Sequence, residues 1–222
     1  MAVASESFTG VDLSRLAAPT VIEALDYETI VADAKARFGE LCAEAGIPFD
    51  ASVESDPVVK LIELFAYREL VLRQRVNDAA KAVMPAFATG SDLDHLGALF
   101  GVERFIITPA NPATGTAAAL ESDADFRRRM VLAPEGYSVA GPAGAYIFHA
   151  LSASADVLDA AVESPSPGEV LVSIISRTGN GTASAGLIAT VAAALSAEGV
   201  RPLTDHVTVQ SAAVQNFVVN AT

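Results

Sequence analysis

The sequence predicts an α+β protein, an N-terminal helical bundle unit followed by a sandwich of helices on a mainly antiparallel sheet. Two observations carry the prediction. Residues 57–84 run without an internal glycine or proline, and their apolar side chains recur every three or four positions, as on a long helix. Beyond Ala155 the apolar period shortens to two, and from residue 143 the segments read helix, strand, strand, helix, strand, strand. The chain therefore divides into an extended arm (1–20), a helical unit (21–101), a linker (102–120) and an α+β domain (121–222).

A first helix is expected from Tyr27 to Ala45, with Asp26 as N-cap and Gly46 and Pro48 as the stop. The long helix follows, capped by Ser55 or Asp56 with Pro57 in its first turn. Its main seam is Val58, Ile62, Phe65, Leu72, Val76, Ala79 and Val83, with Glu69 at the one position that is not apolar. A second row, Val59, Leu64, Tyr67, Leu70, Val71 and Ala82, is also largely apolar, so the helix needs cover on more than one side. Other helices of the same chain are the expected cover for most of the seam. A third helix is expected from Ser91 to Gly101, where Ser91 and Asp94 have capping-box spacing.

Prolines, threonines and a glycine between Val102 and Leu120 read as a linker with one short strand. Ser122 and Asp125 repeat the capping-box spacing before a helix that stops at Pro134 and Gly136, and another helix spans Ala143 to Ala153. A weak strand from Val157 to Val162 and a strong one at Val170–Ile175 flank a turn at Ser164–Gly168. The second is apolar on both faces, which suits a central position. A helix from Ser184 to Ala197 and strands His206–Val209 and Gln215–Asn220 complete the chain, the last as an edge open to a partner strand.

The 222 residues are 51% apolar and carry a net charge of −13. No apolar run approaches the roughly 20 residues that span a bilayer, so a soluble chain is expected despite a mean hydropathy of +0.39. The N-terminus MAVASESFTG lacks the features of a signal peptide, which predicts synthesis in the cytoplasm. An acidic surface repels phosphate backbones. The one basic cluster, Arg127, Arg128 and Arg129, sits on a short helix, and no nucleic-acid contact is expected. The single cysteine, Cys42, falls on an apolar stripe, as a buried thiol would.

No motif carries catalysis. The stretch TGNGTASAG, Thr178 to Gly186, lies where a phosphate loop would, but Leu187 follows its last glycine instead of lysine, and Ser184 takes the third glycine position of a dinucleotide loop. A turn with Thr182 or Ser184 capping the next helix accounts for it. His95, His149 and His206 have no metal-ligand spacing, and no G-x-S-x-G elbow exposes a serine. No enzyme, cofactor or metal is expected. The rival readings are an enzyme with a dispersed site, for instance His149 and His206 with nearby carboxylates, and a stand-alone oligomeric scaffold.

The informative polar residues crowd onto the long helix: Arg68, Glu69, Arg73, Gln74, Arg75 and Asn77. Arginine suits desolvated interfaces because its guanidinium fork pairs carboxylates bidentately, so a protein contact is expected here. The run ESDPVVKLIELFAYRELVLRQRVNDAAKAVM with the following GSDLDHLGALFGVER resembles the baseplate assembly protein J family of contractile-tailed temperate phages. The segments ESDADFRRR, GYSVAGPAGAYIFHA and VRPLTDHVTVQSAA extend the likeness over essentially the whole chain. The resemblance implies a structural wedge protein of the virion tail baseplate, assembled in the host cytoplasm. It implies partners as well: a second copy of itself and a smaller wedge tail protein, joined through a helical bundle, and the hub, spike and sheath-proximal proteins. Wedges would close into a six-fold ring and transmit the trigger for sheath contraction. The bundle interface is then expected at Tyr67, Arg68, Glu69, Arg73, Arg75 and Asn77. Family members usually continue with a further domain after the segment matching VTVQSAAVQNFVVNAT, so the chain reads as lacking a C-terminal domain.

Overall fold

A computed structural model of the protein describes residues 13–215. Most of the arm expected over residues 1–20, and all but the first residue of the strand expected at Gln215–Asn220, lie outside the described residues. The chain forms two compact units, a helical unit of Leu16–Ala88 and a sandwich unit from Thr89 onward. The fold class is α+β, as the two hydrophobic periods predict.

In the helical unit α1 (Tyr27–Glu44) packs along α2 (Pro57–Ala82). Both starts follow from their caps. Asp26 accepts the Thr29 amide, Asp56 accepts the Val58 amide, and Pro57 occupies a position whose N–H would have no helical partner. The two helices meet through Tyr27, Ile30 and Val31 on α1 and Ala66 and Leu70 on α2, and Val59 and Ile62 on α2 are buried as well. Cys42 is buried, and Phe38 meets Phe49 edge-on at 4.8 Å.

The sandwich unit begins with α3 (Gly90–Ala98) and a ribbon of β1 (Ile106–Thr108) and β2 (Ala119–Leu120). It continues through α4 (Asp123–Leu132), a 3-10 turn at Ala133–Tyr137, and α5 (Ala143–Ala153). β3 (Val157–Glu163), β4 (Glu169–Ser176), α6 (Ala185–Leu195) and β5 (His206–Ser211) complete it. The expected linker strand is one half of the β1–β2 hairpin. The helix α3, grouped with the long helices in the sequence reading, packs here against α4. It starts one residue earlier than expected, with Thr89 at its N-cap and no side-chain cap bond. Asp94 does not complete a capping box because Arg104 takes its carboxylate at 2.6 Å.

The larger sheet has the order β3-β4-β5, with β4 central as its two apolar faces predict. β3 and β4 are antiparallel, but β4 and β5 are parallel, because α6 returns the chain to the same end of the sheet. The sheet is therefore mixed. One face packs on α5 and α6 around Val172, Ile174, Ala150, Val191 and Leu195, all of them fully buried. Tyr146 on α5 is buried and donates its hydroxyl to Asp205 at 2.7 Å, tying the helix to the loop before β5.

Two arginines tie α3, the hairpin and α4 together. Arg129 lies in the core against Glu121, donating from Nε to Oε1 at 2.8 Å and from Nη2 to Oε2 at 2.6 Å. Its Nη2 also reaches the Glu103 carbonyl, and its guanidinium stacks over Phe105 at 4.1 Å. Arg104 bridges Asp94 and Asp123, donates to the Glu121 carbonyl, and covers the Phe126 ring at 4.7 Å. A Cβ at Gly97 would overlap that same ring, so α3 approaches α4 only because this position is glycine. Breaking a buried pair strands a charge. Arg129→Met should lower the unfolding free energy by about 3–5 kcal/mol in urea titrations, and adding Glu121→Leu should recover more than half of it.

Candidate functional site

A helix can be covered by one neighbour along one stripe. The covered stripe of α2 runs through Val59, Ile62, Ala66, Leu70 and Asn77, with α1 packed at Ala66 and Leu70 and the segment before α1 held at Asn77. Ala66 is 1% exposed, and its small side chain lets the two helices approach closely. At 3.6 residues per turn the opposite side of α2 carries Leu61, Leu64, Phe65, Leu72, Val76 and Val83. All are exposed, Phe65 to 69% and Val76 to 60%. The expectation that helices of the same chain cover most of the main seam is corrected here: Ile62 is buried, but Phe65, Leu72, Val76 and Val83 are open. α1 settles instead on a stripe between the two predicted rows, where Ala66 offers the closest approach. A contiguous exposed apolar strip of this kind exceeds the singly scattered apolar residues that are ordinary on a protein surface.

The polar residues singled out from the sequence divide between the two sides. Asn77 is buried within the helical unit, where its amide donates to the Glu23 carbonyl at 2.9 Å and its Oδ1 accepts the Glu23 N–H at 3.1 Å. It holds the chain segment before α1. Glu69 and Arg73 form an i, i+4 pair at 2.6 Å, with Glu23 beside it at 3.7 Å. Exposed pairs of this kind contribute little. Tyr67 is exposed on the flank. Arg68 and Arg75 alone lie within the exposed apolar strip, and neither has a hydrogen-bond or ion-pair partner among the described residues. Residue type alone groups Arg68 and Arg75 with Arg73; their place on the helix separates them. The signal was available in their spacing: positions 61, 64, 68, 72 and 75 repeat every three or four residues.

The remaining chemical candidates are absorbed by structure. Of the three consecutive arginines, Arg129 is buried on Glu121, Arg128 pairs with Asp159, and Arg127 reaches the Asp123 carbonyl. They form no basic patch. In the glycine-rich stretch it is Ser184, and not Thr182, that caps α6, accepting the Leu187 amide at 3.2 Å. His95 and His206 are exposed. His149 is partly buried against the Gly136 carbonyl and the Phe148 ring, and burial pushes its imidazole below the ordinary range. Among the described residues no group of three His, Cys, Asp or Glu side chains is arranged to hold a metal ion, and no helix is long and apolar enough to cross a membrane.

These placements make two predictions for urea unfolding of the whole chain. Asn77→Ala removes the partner of two backbone groups and should cost about 1–3 kcal/mol, whereas Leu72→Ser on the exposed strip should stay within about 0.5 kcal/mol. The second concerns pH. With a lowered folded-state value, His149 binds its proton more readily in the unfolded chain, so its contribution to stability is complete above about pH 6.5 and is lost as pH falls through that range. His149→Gln should flatten that part of the stability profile.

Comparison with known proteins adds two family matches and a relative. The Baseplate J-like N-terminal domain matches residues 54–111, which contain α2, α3 and β1, and the Baseplate J-like central domain matches residues 138–211. Baseplate protein J of Escherichia phage P2 is 50% identical over 217 residues, spanning 96% of this chain and 72% of that protein.

Proposed function

This chain belongs to the baseplate J family of phage tail proteins, and from that premise we propose that α2 is the element by which it builds into the baseplate wedge. As a family member it is a structural component of the virion tail baseplate. In the proposed reading the wedge holds a second copy of this chain and a smaller tail protein, joined along the outer strip of α2. Wedges close into a six-fold ring around the hub and spike, next to the sheath, and a change in their arrangement passes on the trigger for contraction.

The observation that supports this reading is the strip itself: large aliphatic and aromatic side chains, uncovered, on the longest helix of the fold. Its size also argues for more than one partner helix. Side chains such as Leu61, Phe65, Leu72 and Val76 are 52–69% exposed, so covering the strip completes burials worth about 1.5–3 kcal/mol each when whole. The sum is on the order of 5–10 kcal/mol. Association costs an estimated 4–15 kcal/mol in lost translational and rotational freedom. One helix laid along α2 would therefore hold weakly, and a bundle of several is the arrangement that closes the balance.

Co-expression with a small tail protein of the same baseplate, followed by light-scattering mass of the purified product, tests the proposal. A hetero-oligomer holding more than one copy of this chain is expected. Leu72→Ser with Val76→Ser should reduce it to monomer while leaving the helix content unchanged. A wild-type chain that stays monomeric beside its neighbour, or a variant that assembles as well as the wild type, would contradict the proposal.

A further inference from the structure

The outer strip of α2 contains two cations and no carboxylate. Arg68 and Arg75 lie among Leu64, Phe65, Leu72 and Val76, and two such strips packed on each other would bring four guanidinium groups together with nothing to neutralise them. Like charges juxtaposed at an interface cost several kcal/mol. A second α2 is therefore excluded as the direct occupant, and the occupant must carry carboxylates at matching spacing.

The outer face of α1 carries them. Along the exposed side of α1, from its solvent-facing back to the edge of the groove it forms with α2, lie Thr29, Ala32, Asp33, Ala36, Glu40 and Ala43. Asp33 and Glu40 are seven residues apart, as are Arg68 and Arg75. On both helices that is a separation of roughly 10.5 Å along one side. Asp33 has no hydrogen-bond or ion-pair partner among the described residues, and it lies at the rim of an open cleft of about 270 Å³ lined also by Asp26, Thr29 and, from α2, Glu69 and Arg73, room for an incoming arginine. Glu40 is held only by Arg37, in a fully solvated i, i+3 pair at 2.8 Å, which a better partner can displace. Shape agrees with charge, since the α1 face is built from alanines and a threonine against which leucine and phenylalanine can seat.

We infer that the outer strip of α2 in one copy of this chain docks on the outer face of α1 in the next, with Arg68 and Arg75 received by Asp33 and Glu40. This rests on the reading of the strip as intermolecular and specifies how copies meet. The two faces belong to different helices of the same pair, so the contact joins unlike surfaces. A contact of that type is heterologous, and repeated it gives a ring or an open chain, not a self-closing dimer.

Charge reversal tests the inference in the co-expressed complex of the full chain with the small tail protein. All four positions are exposed, so the variants should fold, which circular dichroism checks. R68E with R75E, or D33R with E40R, should lower the share of complexes holding more than one copy by at least about tenfold at low salt. Combining all four should restore it. A copy number indifferent to either pair, or one not restored by the combination, overturns the α2-to-α1 contact while leaving the wedge reading intact. A wild-type chain that forms no complex at all sinks both.

Discussion

The long helix carries apolar residues on more than one side, and among the described residues α1 is the one helix that packs on it. That mismatch is the constraint from which the rest follows. α1 (18 residues) lies along one side of α2 (26 residues), so one stripe is covered and the opposite one is left in water. Rotation of α2 about its axis is fixed by Ala66, which admits the closest approach, and by Asn77, which clamps the backbone at Glu23. Once those two are set, Phe65, Leu72 and Val76 have nowhere to go but outward. An aqueous surface of that kind is a cost for an isolated chain and a resource for one that works only when assembled.

The sandwich unit solves a different problem by a different means. Its helices α3 and α4 bury Leu93, Phe126 and Met130. Charged side chains stacked on aromatics add to that core. Arg129 and Arg104 each combine a carboxylate, a backbone carbonyl and an aromatic ring, so the charge each carries into the fold is met by an opposite one. The outcome is a cross-linked corner beside an ordinary helix-on-sheet core.

Element positions were largely legible in the sequence because their ends are chemically marked. Asp26, Asp56, Ser122 and Ser184 cap helices as their residue types predict, and the turn before β4 separates two strands that do pair. Long-range partners were not legible. Asp94 had capping spacing and went to Arg104, while Arg129 looked like part of a basic patch and went into the core. Neither outcome has a local signature, since the deciding groups lie 8 to 10 residues away across a turn. The parallel pairing of β5 likewise depends on where α6 delivers the chain. Among the polar residues of α2, only the packing of the helical unit separates the exposed Arg68 and Arg75 from the buried Asn77.

The central claim is that the outer strip of α2 is covered by protein in the assembled particle. A single reactive thiol on that strip reads it directly, because the native Cys42 is buried. Ala79 is exposed and small, on the same side as Leu72 and Val76, so Ala79→Cys disturbs little. In the isolated chain that thiol should react with a maleimide at the rate of an open cysteine, and in assembled baseplates it should be protected. Equal labelling in both would show the strip in water where the account requires it to be buried.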